Sequence, residues 1–313
     1  MSERTLLVHP GALGDLVLLG HLAGALEGEL ALAAGAAKAA LLAGLGRVRG
    51  WLDFAALPMH ELFTDGAVEQ GELAGRLGRF DRLISFFGEP DTPAARRLAR
   101  ACGAGESHFL PVRPPPGWPG HLLDLWTDRL GLSRPDPAPP AWPVPPDWRA
   151  AADALLTRRG VPEGAPLAVI HPGSGSPAKN WPIEGFVQVA AALRATGLRV
   201  AWVLGDVELE RGLAPPAGAA GVCLADPPLD VLAGMLARTR VYVGNDSGVT
   251  HLSAAVGAPT VALFAAGSSR PFAPRGPAVQ VVSGDSMQAT GLPHVLAAVL
   301  AHAGLGISGS AGR

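Results

Sequence analysis

The chain has 313 residues, 48% of them hydrophobic, and a formal net charge of −2. That length exceeds one ordinary domain and favours two of roughly 150 residues each. The near-neutral balance argues against a nucleic-acid binder.

The N-terminal residues MSERTLLVHP carry charge and no long apolar run, so no secretory signal is expected. A strand is expected over 5–9, followed by HPGALGD and an apolar helix over 16–26 with Asp15 at or near its N-cap. The apolar region over 16–45 is interrupted by Glu27, Glu29 and Lys38, which excludes a membrane span. Strands are then expected over 30–33, 51–54, 82–86 and 108–110, alternating with helices over 36–43, 68–77, 93–101 and 120–130. That alternation is the pattern of a doubly wound α/β sheet.

Seven prolines fall between Pro135 and Pro146. They are too many for a strand or helix interior and read as a stiff interdomain linker over 133–148. Beyond it the alternation resumes with a helix over 148–159 and strands over 167–171, 199–204, 222–224, 241–244, 260–264 and 279–282. The intervening helices are expected over 183–195, 208–213, 230–237 and 248–256, with a last one over 292–303. The expected organisation is a first domain over 1–132, the linker, a second domain over 149–290, a C-terminal helix over 291–304 and a disordered tail over 305–313. Cys102 and Cys223 lie in different halves without a CxxC pattern and read as structural thiols in a reducing cytoplasm.

The stretch that carries most chemistry is LAVIHPGSGSPAKNW, 167–181. A short apolar strand runs straight into a loop holding Gly173, Ser174, Gly175 and Ser176, and a helix follows Pro182. This geometry aims backbone N–H groups and a helix N-terminus at an anion. The two loop glycines would let the backbone approach phosphate oxygens with no Cβ in the way. Of the 25 basic residues only Lys38 and Lys179 are lysines, so a compact cation has been kept in this loop. The stretch is not a Walker P-loop, because Ala178 and Asn180 flank the lysine where glycine and a hydroxyl residue belong. Gly173, Gly175 and Ala178 fit a dinucleotide fingerprint in spacing, but no acid stands about twenty positions on. The plain alternative is a glycine loop that only turns the chain.

An echo of the loop lies at the start of the chain, LLVHPGALGD over 6–15 against AVIHPGSGSP over 168–177. The half-chain offset suggests two similar βα-based domains. Near the end, YVGNDSGVTH (242–251) places Asp246, Ser247 and Gly248 where a strand gives way to a helix, with His251 one turn on. Capping by Asp246 or Ser247 would explain the polar residues. A Ser-His-Asp triad does not, because Ser247 is not in a G-x-S-x-G elbow. Phosphate or sugar hydroxyls suit the patch. GDVELE (205–210) offers Glu208 at a strand's carboxyl end, either for ribose hydroxyls or as a solvated first turn. Asp15 is read as N-cap or as a cleft carboxylate.

Together GALGD (11–15), HPGSGSPAKNWP (171–182), GDVE (205–208) and NDSGVTHLSAAVGAP followed by TVALF (245–264) resemble glycosyltransferase family 9, the ADP-heptose heptosyltransferases of lipopolysaccharide core synthesis. The resemblance implies an α/β GT-B fold of two Rossmann-like domains facing each other across a cleft, with the last helix crossing back to the first domain. It implies inverting, metal-independent transfer of a sugar from an ADP-activated donor to a cell-envelope glycan, with no cofactor. By position Asp15 would be the general base, with Gly11, Ala12 and Gly14 forming its loop. Gly173, Ser174, Gly175 and Lys179 would hold the diphosphate and Glu208 the ribose, and Asp246, Ser247, Gly248 and His251 would line the diphosphate–sugar region. No D-x-D sequence occurs, in keeping with a metal-free site. The implied location is the cytoplasm. Such acceptors are lipid-linked, which would bring the protein to the inner face of the membrane, although no segment declares it. Two alternatives stay open at this point: a nucleotide-sugar epimerase of the same fold, and a non-catalytic nucleotide-binding module.

Overall fold

A computed structural model describes residues 2–267 and 269–305. The chain divides into two compact units, Met1–Pro135 and Asp136–Arg313.

The first unit is built on five parallel strands: β1 (Arg4–Val8), β2 (Glu29–Ala34), β3 (Gly50–Asp53), β4 (Arg82–Ser85) and β5 (Glu106–Phe109), in the order β3-β2-β1-β4-β5. Helices α1 (Leu13–Ala23), α2 (Ala36–Gly44), α3 (Glu72–Leu77), α4 (Pro93–Cys102) and α5 (Leu122–Arg129) connect and flank them. Parallel strands covered on both faces read as near-continuous apolar runs, and β1 is buried at its last four positions. One cluster gathers Leu6, Val8, Leu73, Leu77, Phe80, Leu83, Leu98 and Cys102. Each fully buried large side chain there contributes on the order of 1.5–3 kcal/mol. The helix expected over 68–77 is divided: a 3-10 turn over Val68–Gln70 ends at Gly71, and α3 begins at Glu72. Cys102 is buried, whereas Cys223, in the second unit, is an exposed thiol.

The second unit has six parallel strands, β6 (Leu167–His171), β7 (Arg199–Leu204), β8 (Val222–Ala225), β9 (Val241–Asn245), β10 (Thr260–Ala265) and β11 (Val279–Gly284), in the order β11-β10-β9-β6-β7-β8. Its helices are α6 (Pro146–Arg158), α7 (Ile183–Ala195), α8 (Asp206–Glu210), α9 (Leu229–Leu236), α10 (Gly248–Ala255), α11 (Ser269–Phe272) and α12 (Leu292–His302). Counted within the unit this is the doubly wound nucleotide-binding order, and the first unit repeats its first five strands. In such sheets the strand order reverses between two neighbours, and ligands sit in the crevice at their carboxyl ends. The reversal falls between β1 and β4 in one unit and between β6 and β9 in the other.

Two connecting segments pack on the second unit. Much of the proline-rich segment is packed on the second unit: Trp142 and Val144 are buried, and the Trp142 N–H donates to the Ala255 carbonyl at 2.8 Å. The C-terminal helix α12 packs on the second unit as well. Val295, Ala298, Val299 and Ala303 share the second unit's core with Trp181, Phe186 and Val189. Leu305 packs against that same cluster, and the rest of the expected tail, 306–313, lies outside the described residues. Among the described residues no helix is long and apolar enough to cross a membrane.

Candidate functional site

In the second unit the site is assembled at the switch point. All five residues of β6 are buried, and the chain leaves the sheet at His171 into residues 172–176. The His171 ring nitrogen Nδ1 lies 2.9 Å from the Val203 carbonyl. An N–H donated there leaves Nε2 unprotonated, and burial pushes the imidazole's pKa down, so the ring is neutral. Asn245, fully buried at the end of β9, clips the loop at two points. Its amide N–H donates to the Pro172 carbonyl at 2.7 Å, and its oxygen accepts the Trp181 N–H at 3.0 Å. Trp181 is anchored in turn by its indole N–H on the Thr290 carbonyl at 2.9 Å and by an edge contact to Phe186. A Cβ on Gly185 would strike that indole, which explains a glycine in the first turn of α7.

The loop's glycines have unequal duties. A Cβ on Gly173 would overlap the Glu208 carboxyl, whereas a Cβ on Gly175 meets nothing. The first glycine therefore makes room for Glu208, and the second leaves open space beside the loop. Glu208 is the third residue of α8, is buried, and accepts the Gly205 N–H at 2.9 Å. The Ser174 hydroxyl lies 2.7 Å from both the Ser176 carbonyl and the Asn180 side chain. The single hydroxyl proton is thus placed between two acceptors, the Ser176 carbonyl and Asn180 Oδ1. Arg211 reaches the Ser174 and Gly175 carbonyls at 3.3 and 3.4 Å from the outside.

Lys179 closes a 3-10 turn, Pro177–Lys179, and its ammonium contacts Asp246 Oδ2 at 2.6 Å. The Lys179 side chain keeps 45% of its surface exposed against 11% for Asp246. One of its three N–H groups is used on the carboxylate. Asp246 precedes α10, whose N-cap is Ser247: its Oγ accepts the Thr250 N–H at 3.3 Å. Gly248 is the first residue of that helix. A network of Tyr242 OH, Thr250 Oγ1 and the Asn245 carbonyl, at 2.8 and 2.6 Å, holds the turn. Burial pushes the Tyr242 phenol's pKa up, so it stays protonated. His251 is buried in α10 rather than displayed at its end.

In the first unit β1 ends in the matching loop. Ala12, extended at φ −72° and ψ 168°, is the N-cap of α1, so the helix starts earlier than expected and Asp15 is its third residue, not its cap. Asp15 Oδ2 accepts the Ala12 N–H at 3.2 Å. Glu208 makes the same reach to the residue that caps α8, so both loops end in a carboxylate folded back on a helix start. Gly14 lies inside the first turn of α1. The buried His9 accepts the Gly11 N–H on Nδ1 at 3.0 Å, and its ring lies 4.6 Å from that of Phe86. Burial, with a smaller contribution from Lys38, lowers its pKa to about 4 against the opposing pull of Asp15. A Cβ on Gly11 would collide with that imidazole. The Lys38 ammonium donates to the Gly11 carbonyl at 2.6 Å. Beside the loop after β4 lies a cavity of about 680 Å³, lined among others by Leu62, Phe63, Phe87, Thr92, Arg97 and Leu98.

A family model described as glycosyltransferase family 9 (heptosyltransferase) matches residues 125–298, more than half of the chain. The chain belongs to glycosyltransferase family 9. Its fold is shared with solved family members. E. coli ADP-heptose lipopolysaccharide heptosyltransferase II is 18% identical with a TM-score of 0.72, over 96% of this chain and 98% of that one. A family 9 glycosyltransferase from Veillonella parvula is 19% identical with a TM-score of 0.69, over 90% and 86%. The E. coli heptosyltransferase WaaC, solved with ADP, is 20% identical with a TM-score of 0.67, over 96% and 99%. A comparison with curated protein sequences finds no match.

This family 9 chain is thus a glycosyltransferase of the GT-B type, with two nucleotide-binding-like sheets. Among the residues singled out in its sequence, the fold brings Lys179 into contact with Asp246, next to Ser247, and sets Gly173 against Glu208. Three contributors were not singled out: Asn245, Arg211 and Lys38. Asn245 stood within the NDSG block, and Lys38 was one of only two lysines, so a signal existed for both. Arg211 offered none beyond its place after GDVELE.

Proposed function

We propose that this glycosyltransferase transfers heptose from an ADP-activated donor to a hydroxyl of a cell-envelope glycan of the lipopolysaccharide-core kind, by a single inverting displacement. The observation that carries the proposal is Lys179. It is a half-exposed ammonium held by Asp246 beside the start of α10, at the carboxyl ends of β6 and β9. Cation, helix N-terminus and loop amides together suit a diphosphate. The choice of ADP is supported by the E. coli enzyme of the same fold that was solved with it.

In this reading the diphosphate lies along residues 173–176 and accepts N–H groups from Lys179. Glu208 takes ribose hydroxyls through the oxygen not committed to Gly205. Asp246 and Ser247 border the diphosphate–sugar junction, and buried His251 supports that turn from beneath. Asp15 Oδ1 removes the proton from the acceptor hydroxyl as its oxygen attacks the anomeric carbon from the face opposite the leaving group. The bond from that carbon to the β-phosphate oxygen breaks, and ADP departs with the electron pair. A positioned base contributes about 10²–10⁴-fold, and fixed dipoles with a cation stabilise the leaving oxygens. No residue set is assigned to a metal in this scheme. The cavity beside the loop after β4 lies at the same end of the sheet as Asp15 and is our candidate for holding part of the acceptor. Such an acceptor would bring the enzyme to the cytoplasmic face of the inner membrane.

A ligand screen by thermal shift tests the donor assignment. ADP at a hundred times its dissociation constant should stabilise its unit by about 2.7 kcal/mol. ADP should shift the melt while UDP, GDP and CMP do not. A shift with UDP and none with ADP would refute the assignment.

A further inference from the structure

Lys38 sits in an unfavourable place for a cation. It is the third residue of α2, whose first turn holds no acid, and a helix N-terminus repels positive charge. The side chain is half-buried and folds back over Gly35 to donate to the Gly11 carbonyl at 2.6 Å. A position that breaks a local rule invites the question of what it serves.

The answer lies in one peptide unit. The carbonyl that Lys38 holds belongs to Gly11, and the N–H of that same peptide is Ala12's. A trans peptide is rigid, with its C=O and N–H pointing in opposite directions. Fixing the oxygen therefore fixes the direction of the N–H, which donates to Asp15 Oδ2 at 3.2 Å. A cation on the oxygen also polarises the peptide and strengthens the bond at its far end. The preceding peptide is pinned independently, because the Gly11 N–H donates to His9 Nδ1 at 3.0 Å. Parallel pairing keeps α2 in register with the loop, since the His9 N–H donates to the Ala33 carbonyl at 2.9 Å. Among the described residues no hydrogen bond falls on Asp15 Oδ1, which leaves that oxygen for chemistry.

We propose that Lys38 is a positioning residue: through the Gly11–Ala12 peptide it locks the Asp15 carboxylate with Oδ2 engaged and Oδ1 presented. The inference rests on Asp15 being the base that takes the acceptor proton. Lys38 and His9 both hold the Gly11 peptides beside this carboxylate, and Asp15 and Lys38 both act on the His9 ring. His9, buried against Phe86 and neutral, acts as a fixed wall of the loop rather than as a second base.

The test reads the relay directly. Protein labelled with ¹⁵N-alanine gives an Ala12 amide signal, assigned by its absence in Ala12→Ser. Removing the carboxylate acceptor in Asp15→Asn should move that proton upfield. Lys38→Met should move it part of the way towards the same position, and Lys38→Arg should restore most of the shift. In transfer assays with ADP-heptose and a heptose-deficient lipopolysaccharide core, Lys38→Met should lower kcat about tenfold with donor KM and ADP affinity unchanged, and Lys38→Arg should recover most of it. An Ala12 signal in Lys38→Met that coincides with wild type overturns the proposal. So does a kcat loss matched by an equal loss of ADP affinity, which marks general loosening. If Asp15→Asn transfers at the wild-type rate, the base assignment itself has failed, whatever the amide shows. If Asp15→Asn is inactive while Lys38→Met is unimpaired, only the role of Lys38 has failed.

Discussion

Asn245→Ala should be the most damaging small substitution near the donor loop. The wild-type side chain is fully buried and makes two hydrogen bonds in opposite senses, to the Pro172 carbonyl at 2.7 Å and from the Trp181 N–H at 3.0 Å. Both partners are backbone groups in buried surroundings. Alanine leaves a carbonyl and an N–H unsatisfied at about 1–3 kcal/mol each, so the second unit should lose about 2–6 kcal/mol. Domain stabilities are about 5–15 kcal/mol, so this is a large share. At about 2–4 °C per kcal/mol for a unit of this size, its melting point should fall by roughly 4–24 °C. Trp181 is itself anchored by this clip, so its own ¹⁹F signal in 5-fluorotryptophan-labelled protein, followed through guanidinium titration, reports the right unit. The lost clip frees both ends of the loop, and ADP affinity should fall with stability. Asn245→Asp separates the two bonds: it keeps an acceptor for Trp181 but sets a carboxylate against the Pro172 carbonyl, and should be no better than alanine. An Asn245→Ala protein with a midpoint and an ADP affinity matching wild type would refute the reasoning.

Other substitutions should sort by mechanism. Lys179→Ala should cut ADP affinity at least tenfold by calorimetry while changing stability by less than about 1 kcal/mol, because exposed ion pairs contribute little; unchanged affinity would remove Lys179 from the donor site. Gly173→Ala should displace Glu208 and weaken donor binding, whereas Gly175→Ala, with open space at its Cβ, should behave as wild type; equal effects at the two positions would contradict their separate roles. His9 adds a pH dependence to the first unit. Its pKa in the folded chain is about 4 against 6.5 when unfolded, so the unfolded state binds the extra proton. Stability should therefore be full above pH 6.5 and fall as the pH drops towards 4, by up to about 3 kcal/mol, then level off. Denaturation of His9→Gln across that range should lack this slope, and an unchanged slope would assign it elsewhere.

Much of this architecture could be read from the sequence because buried parallel strands are short apolar runs that end abruptly in small residues. The two HPG loops marked the first strand of each sheet, and the GDVE and NDSG blocks marked the ends of β7 and β9. What escaped reading depends on register. Lys38 meets Gly11 only because β1 and β2 pair in parallel, and Asn245 meets Pro172 and Trp181 only because β9 lies beside β6. The start of α1 was read three residues late because an alanine, with no capping side chain, begins it. The region over 55–145 offered periodicity but no motif, and its cavity is formed by a 3-10 turn over Met59–Phe63 and the start of α4, neither of which has a chemical signature.

The central claim is that Asp15 and the Lys179 loop serve one transfer from an ADP-sugar. Incubation with ADP-heptose and a heptose-deficient lipopolysaccharide core, followed by mass spectrometry of the acceptor and NMR of the new linkage, tests it most directly. The account predicts one added heptose with inverted anomeric configuration for the wild type, and none for Asp15→Asn that still binds ADP. Addition by Asp15→Asn, or retention of configuration in the product, would contradict it.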